Sequence, residues 1–303
     1  MKYVHQLYYT LKIIMITVRL KGGLGNQMFQ YAAGRRAAIH NNTQLKLDIS
    51  YYNNQIDATP RRYELNIFPI KARVCSKLES EVYGVVRKVA SMFGGTIPYL
   101  NQLYVKQKDH NFDKKILNVG KYAYLDGWWA RVGYFNDIES TIREDFRFLP
   151  SLKGHNLLLA TKIKNHQSVS VHLRRGDYVT DNVTNKFHGV SSEGYYKKAI
   201  SYIKNKEDNP VFFIFSDDIK WCKDNFTIPH KTNYIDVNSP DKGFEDMRLM
   251  SLCKHNIIAN SSFSWWGAWL NNNPGKIVIA PRKWLRSIII DTQSMFPNDW
   301  ISL

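Results

Sequence analysis

The sequence has few cysteines, and their spacing supports neither a disulfide nor a zinc site. Cys75, Cys222 and Cys253 are odd in number, lie far apart and include no CxxC pair, so neither a disulfide framework nor a zinc motif is expected. Long apolar runs are also lacking, because no stretch reaches the roughly 18 apolar residues of a membrane span. The best candidate, residues 7–20, contains two basic residues and no small-residue cleavage site, which makes it a poor signal peptide. These absences predict a protein of the reducing cytoplasm.

Acidic residues are scarce relative to basic ones. The 303 residues include 42 Lys and Arg against 26 Asp and Glu, a formal net charge of +16. Such a charge favours anionic partners, namely phosphorylated metabolites, acidic lipid or nucleic acid. The basic residues are scattered, with no basic arm, zinc-finger spacing or RNA-recognition sequence, so we do not expect nucleic acid as a partner. The hydrophobic content of 44% indicates a globular protein with one large domain or two ordinary ones.

The sequence does contain a regular alternation of strand and helix patterns. In the first half, strands are predicted at 13–20, 44–49 and 122–128 and helices at 27–40 and 134–146, with a less regular stretch at 51–119. In the second half, strands are predicted at 168–173, 211–216, 233–237, 256–260 and 276–280 and helices at 193–205, 218–226, 243–253 and 262–271. Apolar runs such as 211–215, VFFIF, lack polar alternation, as expected where both faces of a strand are buried. The fold class is therefore α/β, with a parallel sheet and right-handed crossovers.

A break in the alternation divides the chain. Pro150 disfavours helix at Leu149 and ends the preceding element. We therefore predict an N-terminal α/β domain over 1–150 and a C-terminal one over 151–303. The residues before Met15 add no clear pattern, so Met15 is a candidate for the true start. Ligands of such sheets bind beyond the carboxyl ends of the strands, where the sequence places four polar motifs.

The first motif is a glycine-rich loop at 21–27, KGGLGNQ, between a predicted strand and a predicted helix. Gly23 and Gly25 let the backbone pass close to a ligand near the helix N-terminus. One alternative is a dinucleotide loop in which Asp48 holds a ribose. Met28, however, stands where the GxGxxG pattern needs its third glycine. A plain tight turn is the other alternative.

The second motif is HLRRGDY at 172–178, which follows a predicted strand. Two guanidinium groups are costly to desolvate without an anion, and each presents a planar fork of donors that suits phosphate oxygens. Gly176 allows a sharp turn or close approach to a ligand. The motif therefore indicates an anion site. The alternative is a loop salt bridge between Asp177 and an arginine.

Two further motifs also follow predicted strands. Asp217 and Asp218 end one strand, and Ser261, Ser262 and Ser264 lie where another gives way to a helix. Each set has a simple structural interpretation as a helix N-cap. Each also has a functional one, as carboxylates that accept bonds from a base or ribose, and as hydroxyls that hold phosphate. Four polar motifs at strand ends favour a phosphate-bearing nucleotide ligand.

Three segments carry a family resemblance: GGLGNQMFQYA at 22–32, HLRRGDY at 172–178 and SSFSWWGAWL at 261–270. They resemble the α-1,2-fucosyltransferases of glycosyltransferase family 11, and the similarity runs from about residue 16 to 284. The resemblance implies a GT-B fold, with two Rossmann-like domains facing across a cleft, acceptor on the N-terminal side and GDP-fucose mainly on the C-terminal side. It implies inverting transfer of L-fucose from GDP-β-L-fucose to a galactose 2-hydroxyl. The sequence has no Asp-x-Asp, so no metal and no cofactor is expected.

The resemblance also implies roles for the HLRRGDY residues. Arg174 would meet the β-phosphate and stabilise the charge that develops as the C1–O bond breaks. Arg175 would be a second phosphate contact or a structural partner of Asp177. Asp177 would orient Arg174, and His172 would line the donor site.

The remaining motifs supply the other donor-site candidates. Asp217 or Asp218 would bind guanine or ribose, the serines the diphosphate, and Asn26 would face the reacting sugar. The full set is Gly23, Gly25, Asn26, Arg175, Asp217, Asp218, Ser261, Ser262 and Ser264. No catalytic base is obvious, and the candidates are Asp177, Glu245 and Asp246.

The expected partners are GDP-fucose and a galactose-terminated glycan. The resemblance suits a bacterial-type enzyme that makes surface polysaccharide from the cytoplasm, with acceptor choice assigned to the irregular stretch 51–119. If the acceptor is lipid-linked, the basic surface is expected to rest on the anionic inner face of the membrane. Rival interpretations are transfer to another position, use of another GDP-sugar, and nucleic-acid binding. The sequence does not indicate an oligomeric state.

Overall fold

The computed structural model describes residues 15–53, 55, 59–93, 98–287 and 294–303. These residues form two compact α/β units, which divide between Leu149 and Pro150. The division lies one residue before the boundary predicted from Pro150. Because both units are built on parallel sheets, as in the GT-B type, the predicted fold class is confirmed.

The N-terminal unit is a five-stranded parallel sheet in the order β3-β2-β1-β5-β4. Its strands are β1 (Ile16–Arg19), β2 (Leu45–Asp48), β3 (Ala72–Val74), β4 (Tyr104–Lys106) and β5 (Tyr124–Asp126). Its helices are α1 (Leu24–His40), α2 (Lys77–Phe93), α3 (Pro98–Leu103) and α4 (Glu139–Asp145). Helix α1 lies close to β1, since a Cβ added at Gly34 would be 2.3 Å from Val18 Cγ2. Only glycine fits at that crossing.

The C-terminal unit is a six-stranded parallel sheet in the order β11-β10-β9-β6-β7-β8. Its strands are β6 (Ser168–Leu173), β7 (Val211–Ser216), β8 (Thr232–Tyr234), β9 (His255–Ile257), β10 (Val278–Ala280) and β11 (Ile301–Ser302). Its helices are α5 (Gly154–Lys164), α6 (Gly176–Thr180), α7 (Asn182–His188), α8 (Glu193–Lys204), α9 (Ile219–Asn225), α10 (Gly243–Leu252) and α11 (Ser262–Trp269). The apolar run of β7 fills the core on both faces of this sheet, as its lack of alternation predicted. Strand β6 alternates, with its valines and Leu173 in the core on one face.

Some elements differ from the sequence prediction. Helix α2 lies inside the stretch described above as irregular, and α5 was not predicted. No side chain caps the start of α5, so the usual sequence signal for a helix start is missing. The helix predicted at 134–146 is shorter, because α4 is preceded by two short 3₁₀ turns. Among the described residues, no helix is long and apolar enough to cross a bilayer.

Candidate active site

The HLRRGDY segment lies at the carboxyl end of β6, the strand that pairs with both β7 and β9. In the β6–β7 ladder, Leu173 pairs with Ser216, so the residues that follow the two strands leave the sheet side by side. Arg174 and Arg175 therefore come to lie next to Asp217 and Asp218. The sheet register, rather than sequence proximity, brings the second and third motifs together.

Arg174 is held by two carboxylates. Its Nη2 lies 2.6 Å from Asp177 Oδ1 and its Nη1 lies 2.7 Å from Asp217 Oδ2. The guanidinium carbon is 5.2 Å from the centroid of the Tyr178 ring. Burial alone would lower the pKa of Arg174, but Asp217 and Asp177 outweigh burial and raise it. The side chain is thus a fixed cation with 19% of its surface exposed.

The bonding of Arg174 leaves donors for a ligand. A guanidinium has five N–H groups, and the two carboxylates take two of them. Within the part of the chain that the structure describes, no residue takes the other three. An arginine that is already oriented, with spare donors, is suited to hold phosphate oxygens.

Arg175 is held by different partners. Its Nε lies 3.3 Å from Asp218 Oδ2, and its guanidinium stacks on Trp221 with 3.4 Å to the ring centroid. Its backbone N–H donates to Asp217 Oδ1 at 2.8 Å. The predicted alternative of an Arg175–Asp177 pair is not supported, because Asp177 pairs with Arg174 and Arg175 with Asp218. The stacking leaves the outer N–H groups of Arg175 at the strand end.

Gly176 is needed for close packing rather than for an unusual backbone angle. A Cβ at this position would lie 2.3 Å from Asp217 Oδ2, far inside van der Waals contact. That oxygen is the one that bonds Arg174. A side chain at position 176 would therefore displace the carboxylate that orients the arginine.

His172 lies within β6 and is buried, with 4% of its surface exposed. Burial and then the nearby Arg174 charge lower the pKa of its imidazole to about 3, so the ring is neutral near pH 7. Its Nδ1 is buried without a hydrogen-bond partner among the described residues. Its backbone carbonyl accepts a bond from Tyr196 Oη at 2.9 Å.

The serine motif begins α11, next to the carboxyl end of β9. Ser261 caps the helix by accepting a bond from the Phe263 N–H at 3.3 Å, which agrees with the simple N-cap interpretation. Ser262 is half-buried, and its hydroxyl has no protein partner in the described part of the chain. Ser264 is fully buried and directs its hydroxyl to the Ser261 carbonyl. Ser264 therefore has an internal role, and its predicted contact with a diphosphate is not supported.

Asp218 also acts as a helix cap, because its carboxylate accepts a bond from the Trp221 N–H at the start of α9. Asp217 accepts bonds from Arg174 and from the Arg175 backbone. Both carboxylates are thus committed to holding the two arginines and the helix. Contact of either one with guanine or ribose stays a prediction.

The glycine loop of the N-terminal unit is braced by hydrogen bonds. Gly22 has φ +75°, and its carbonyl accepts bonds from Tyr52 Oη at 3.0 Å and Gln27 Nε2 at 3.1 Å. Gly23 takes the N-cap position of α1 without a side-chain bond. The half-buried Asn26 side chain packs against Gly22, with 2.7 Å between Nδ2 and a Cβ built there. The loop is therefore a tight turn in which the missing side chain of Gly22 leaves room for the Asn26 side chain.

Asp48 excludes the dinucleotide alternative. Its carboxylate is fully buried and accepts bonds from Tyr124 Oη at 2.6 Å, Ser80 Oγ at 3.0 Å and the Ser50 N–H at 3.0 Å. Arg87 adds an ion pair at 3.5 Å. This carboxylate holds the N-terminal unit together and is not presented to a ribose.

The three candidate bases have distinct surroundings. Burial raises the pKa of Asp246 to about 6, although Asn238 donates to it at 2.7 Å. Burial also raises the pKa of Glu245, which lies 3.3 Å from Arg248. Asp177 is bound to Arg174, so its primary role is orientation. Among the described residues, Asp246 bonds Asn238 and Glu245 pairs with Arg248, and neither contacts the arginine cluster.

Two aromatic residues of this site were missed at the sequence level. Tyr178 lies beside Arg174, and Trp221 lies over Arg175. The signal was present, since Tyr178 ends the HLRRGDY motif and Trp221 follows Asp218 by three residues, one helical turn into α9. In the part of the chain that is described, no group of three or more His, Cys, Asp or Glu is placed to hold a metal ion.

Comparison with known proteins gives the family. A model described as Glycosyl transferase family 11 matches residues 1–303. The alpha-1,2-colitosyltransferase of Escherichia coli is 37% identical over 298 residues, covering 95% of this chain and 99% of the relative. The O-antigen biosynthesis glycosyltransferase WbnK of Escherichia coli is 37% identical over 312 residues, covering 94% and 99%. A mutant of Arabidopsis thaliana FUT1 in complex with GDP shares the fold, with a TM-score of 0.52 and 10% identity over 92% of this chain and 74% of that chain. The resemblance carried by the three motifs is thus confirmed, and the chain belongs to glycosyltransferase family 11, a family of fucosyltransferases.

Proposed function

We propose that the chain is an inverting galactoside α-1,2-fucosyltransferase. It moves L-fucose from GDP-β-L-fucose to the 2-hydroxyl of a terminal galactose, and it needs neither a metal ion nor a cofactor. The N-terminal unit takes the acceptor and the C-terminal unit takes the donor. The glycan belongs to a bacterial surface polysaccharide or oligosaccharide, in line with the WbnK relative, which is named for O-antigen biosynthesis.

The observation that carries the proposal is the fixed, partly exposed Arg174 at the end of β6. Asp177 and Asp217 orient it, and three of its N–H groups are left for phosphate oxygens. Arg175 stands beside it with its outer N–H groups, and the capped start of α11 follows the neighbouring strand β9. Preorganised donors of this kind stabilise charge in a transition state because they need no reorganisation during the reaction.

The reaction balances without a further reagent. The acceptor 2-hydroxyl oxygen forms a bond to fucose C1 on the face opposite the diphosphate. The bond between C1 and the β-phosphate oxygen breaks, and its electron pair leaves with GDP. Arg174 meets the charge that develops on that oxygen, and the hydroxyl proton passes to a base or to water.

The neutral His172 lines the donor side without adding charge. Burial lowers the pKa of its imidazole to about 3, so in this proposal the ring stays neutral near pH 7 and the arginines supply the positive field at the leaving phosphate. Asn26, Gly23 and Gly25 form the loop that faces the reacting sugar. Ser261 and Ser262 complete the diphosphate contacts.

One rival function has specific support. A relative of nearly equal length is named for α-1,2-colitosyl transfer, so the same site could accept a colitosyl donor. A donor panel separates the two, with lactose as acceptor and GDP-fucose, GDP-mannose and a colitosyl nucleotide as donors. We expect turnover with GDP-fucose to exceed the others at least about tenfold, with NMR of the product giving a 1→2 linkage to galactose. Preference for the colitosyl donor would replace the fucosyl proposal.

A further inference from the structure

The N-terminal unit has an open pocket of about 200 Å³ at the carboxyl ends of β4 and β5. All of its described lining residues belong to this unit. Its lining residues are Lys21, Lys106, Gln107, Lys108, Asp109, His110, Asp126, Gly127 and Trp128. The lining thus combines the indole of Trp128 with several hydrogen-bonding side chains. Small-molecule sites commonly have this composition, with a few polar groups that converge on the ligand.

Gln107 is fixed so that a donor is left for a ligand. Its Oε1 accepts bonds from the backbone N–H groups of Trp128 at 2.7 Å and Trp129 at 3.3 Å. Because backbone N–H groups need an acceptor, these bonds settle which way the amide points. Its Nε2 then has no protein partner within the described ranges. A half-buried amide held in this way is preorganised to donate to a hydroxyl.

Lys21 is positioned by a second set of contacts. Its Nζ lies 3.0 Å from Asp126 Oδ1 and 4.7 Å from the centroid of the Trp128 ring. Arg19 and Tyr104 bond the other oxygen of Asp126, at 3.1 Å and 3.0 Å. The ammonium and the indole therefore occupy fixed neighbouring places on the pocket wall.

The backbone here is strained and tightly packed. Trp129 has φ +51°, a left-handed conformation that is rare for a bulky residue and costs on the order of 1–3 kcal/mol. Its buried Nε1 has no hydrogen-bond partner among the described residues. A Cβ at Gly127 would lie 2.6 Å from both Gln107 and the Trp129 ring. Strain of this kind is retained where a particular side-chain arrangement is needed. Here the arrangement fixes the positions of Gln107 and Trp128 in the pocket lining.

We propose that this pocket is the binding site for a neutral hexose ring of the acceptor glycan. Gln107 Nε2 and Lys21 Nζ donate to its hydroxyls, and the Trp128 indole lies against the apolar C–H face of the ring. Lys21 is already paired with Asp126, and the features that favour a sugar over a phosphate are the neutral Gln107 donor and the Trp128 ring. The inference rests on the proposed transfer to a galactoside and names the residues that hold that galactoside.

The test is equilibrium binding of lactose and methyl β-galactoside, followed by saturation-transfer NMR. Gln107→Glu keeps the oxygen that accepts the two backbone bonds but removes the Nε2 donor, so the loop can stay in place. The exposed Gln102→Glu makes the same change in charge on α3 and is the matched control. Trp128→Ala is a second variant that removes the ring.

We expect at least about tenfold weaker galactoside binding by Gln107→Glu and Trp128→Ala, and unchanged binding by the control. In kinetics, the KM for lactose should rise while the KM for GDP-fucose and acceptor-independent GDP release stay constant. Equal binding by Gln107→Glu, Trp128→Ala and wild type, or no binding of either galactoside by wild type, would overturn the proposal. Failure of the proposed function would look different, since wild type would bind the galactoside but release no GDP from GDP-fucose.

Discussion

Arg174 combines two demands that usually conflict, a lasting charge and partial burial. A buried cation without a partner is costly, and Asp177 and Asp217 remove that cost by pairing at 2.6 Å and 2.7 Å. The pairing also removes the rotamer freedom that an arginine would otherwise lose on binding a ligand. The free enzyme thus already holds the geometry that a leaving diphosphate needs.

Removing this side chain should affect the chemical step. Arg174→Ala is expected to remove about 3 kcal/mol or more of transition-state stabilisation, the upper part of the range for one preorganised donor. That corresponds to a fall of more than about 100-fold in kcat/KM, measured as GDP release. Arg147→Ala, at an exposed pair with Glu144, is the control. Near-normal turnover by a folded Arg174→Ala would remove the arginine from this role.

The neutral His172 predicts a pH effect on stability. Its pKa in the folded chain is lowered from 6.5 to about 3, so only the unfolded chain takes up this proton between those values. The contribution of the neutral His172 ring to the free energy of unfolding is therefore fully present above about pH 6.5, and it is lost as the pH falls toward 3. The loss of unfolding free energy between pH 7 and pH 5, measured in urea, should be smaller in His172→Gln than in wild type. The exposed His155→Gln should keep the wild-type slope, and an unchanged slope in both variants would count against a neutral buried His172.

The sequence predicted which residues belong to the site better than it predicted which of them pair with each other. A salt bridge between Asp177 and an arginine was one interpretation of the motif at 172–178, the family resemblance implied that Asp177 orients Arg174, and Asp177 does contact Arg174. The second partner, Asp217, is 43 residues away from Arg174, and only the order of strands in the sheet brings it close. The pairing of Asp217 with Arg174 could not be predicted, because the sequence pattern does not indicate that β7 lies next to β6 in the sheet.

At the level of elements, the parallel β6–β7 pair is what assembles the site. Parallel neighbours end at the same edge of a sheet, so the two strands deliver two arginines and two aspartates to one place. The long apolar strands were predictable because they are buried on both faces. The three-residue strands Ala72–Val74 and Tyr104–Lys106 were not, because each is short, carries charge and has no clear period.

A substitution at Gly176 tests whether the ends of β6 and β7 must pack as closely as they do. Gly176→Ala places a Cβ about where Asp217 Oδ2 stands, so the carboxylate must move and release Arg174. We expect a fall of roughly 10- to 100-fold in kcat/KM, in line with an overpacking cost of about 1–3 kcal/mol. Gly120→Ala is the matched control, since its Cβ meets no atom within 4 Å. Full activity in Gly176→Ala would show that Asp217 is not needed to orient the arginine.

At the level of the whole molecule, the division between the two units was predictable within one residue. Pro150 gives a clear local signal, and its carbonyl accepts a bond from Arg248 within the C-terminal unit. The pocket of the N-terminal unit was not predictable. Its wall depends on the left-handed Trp129 and on Gln107, which pattern and composition do not single out.

If the acceptor is lipid-linked, the net charge of +16 predicts contact with an anionic membrane surface. A lipid-linked acceptor would bring the enzyme to an anionic surface, where each nearby Lys or Arg contributes about 1 kcal/mol. We expect sedimentation with anionic vesicles at low salt, loss of binding as salt rises, and no binding to zwitterionic vesicles. Absence of sedimentation with anionic vesicles at low salt would rule out this electrostatic attachment.

The most direct test of the proposed activity is GDP release from GDP-fucose, with and without lactose, in excess EDTA. If the chain transfers fucose to a galactoside and uses arginines in place of a metal, release will depend on lactose and will persist in EDTA. Release that stops in EDTA and returns with added metal would contradict the metal-free mechanism. The absence of lactose-dependent release under any condition would contradict fucosyl transfer to this galactoside.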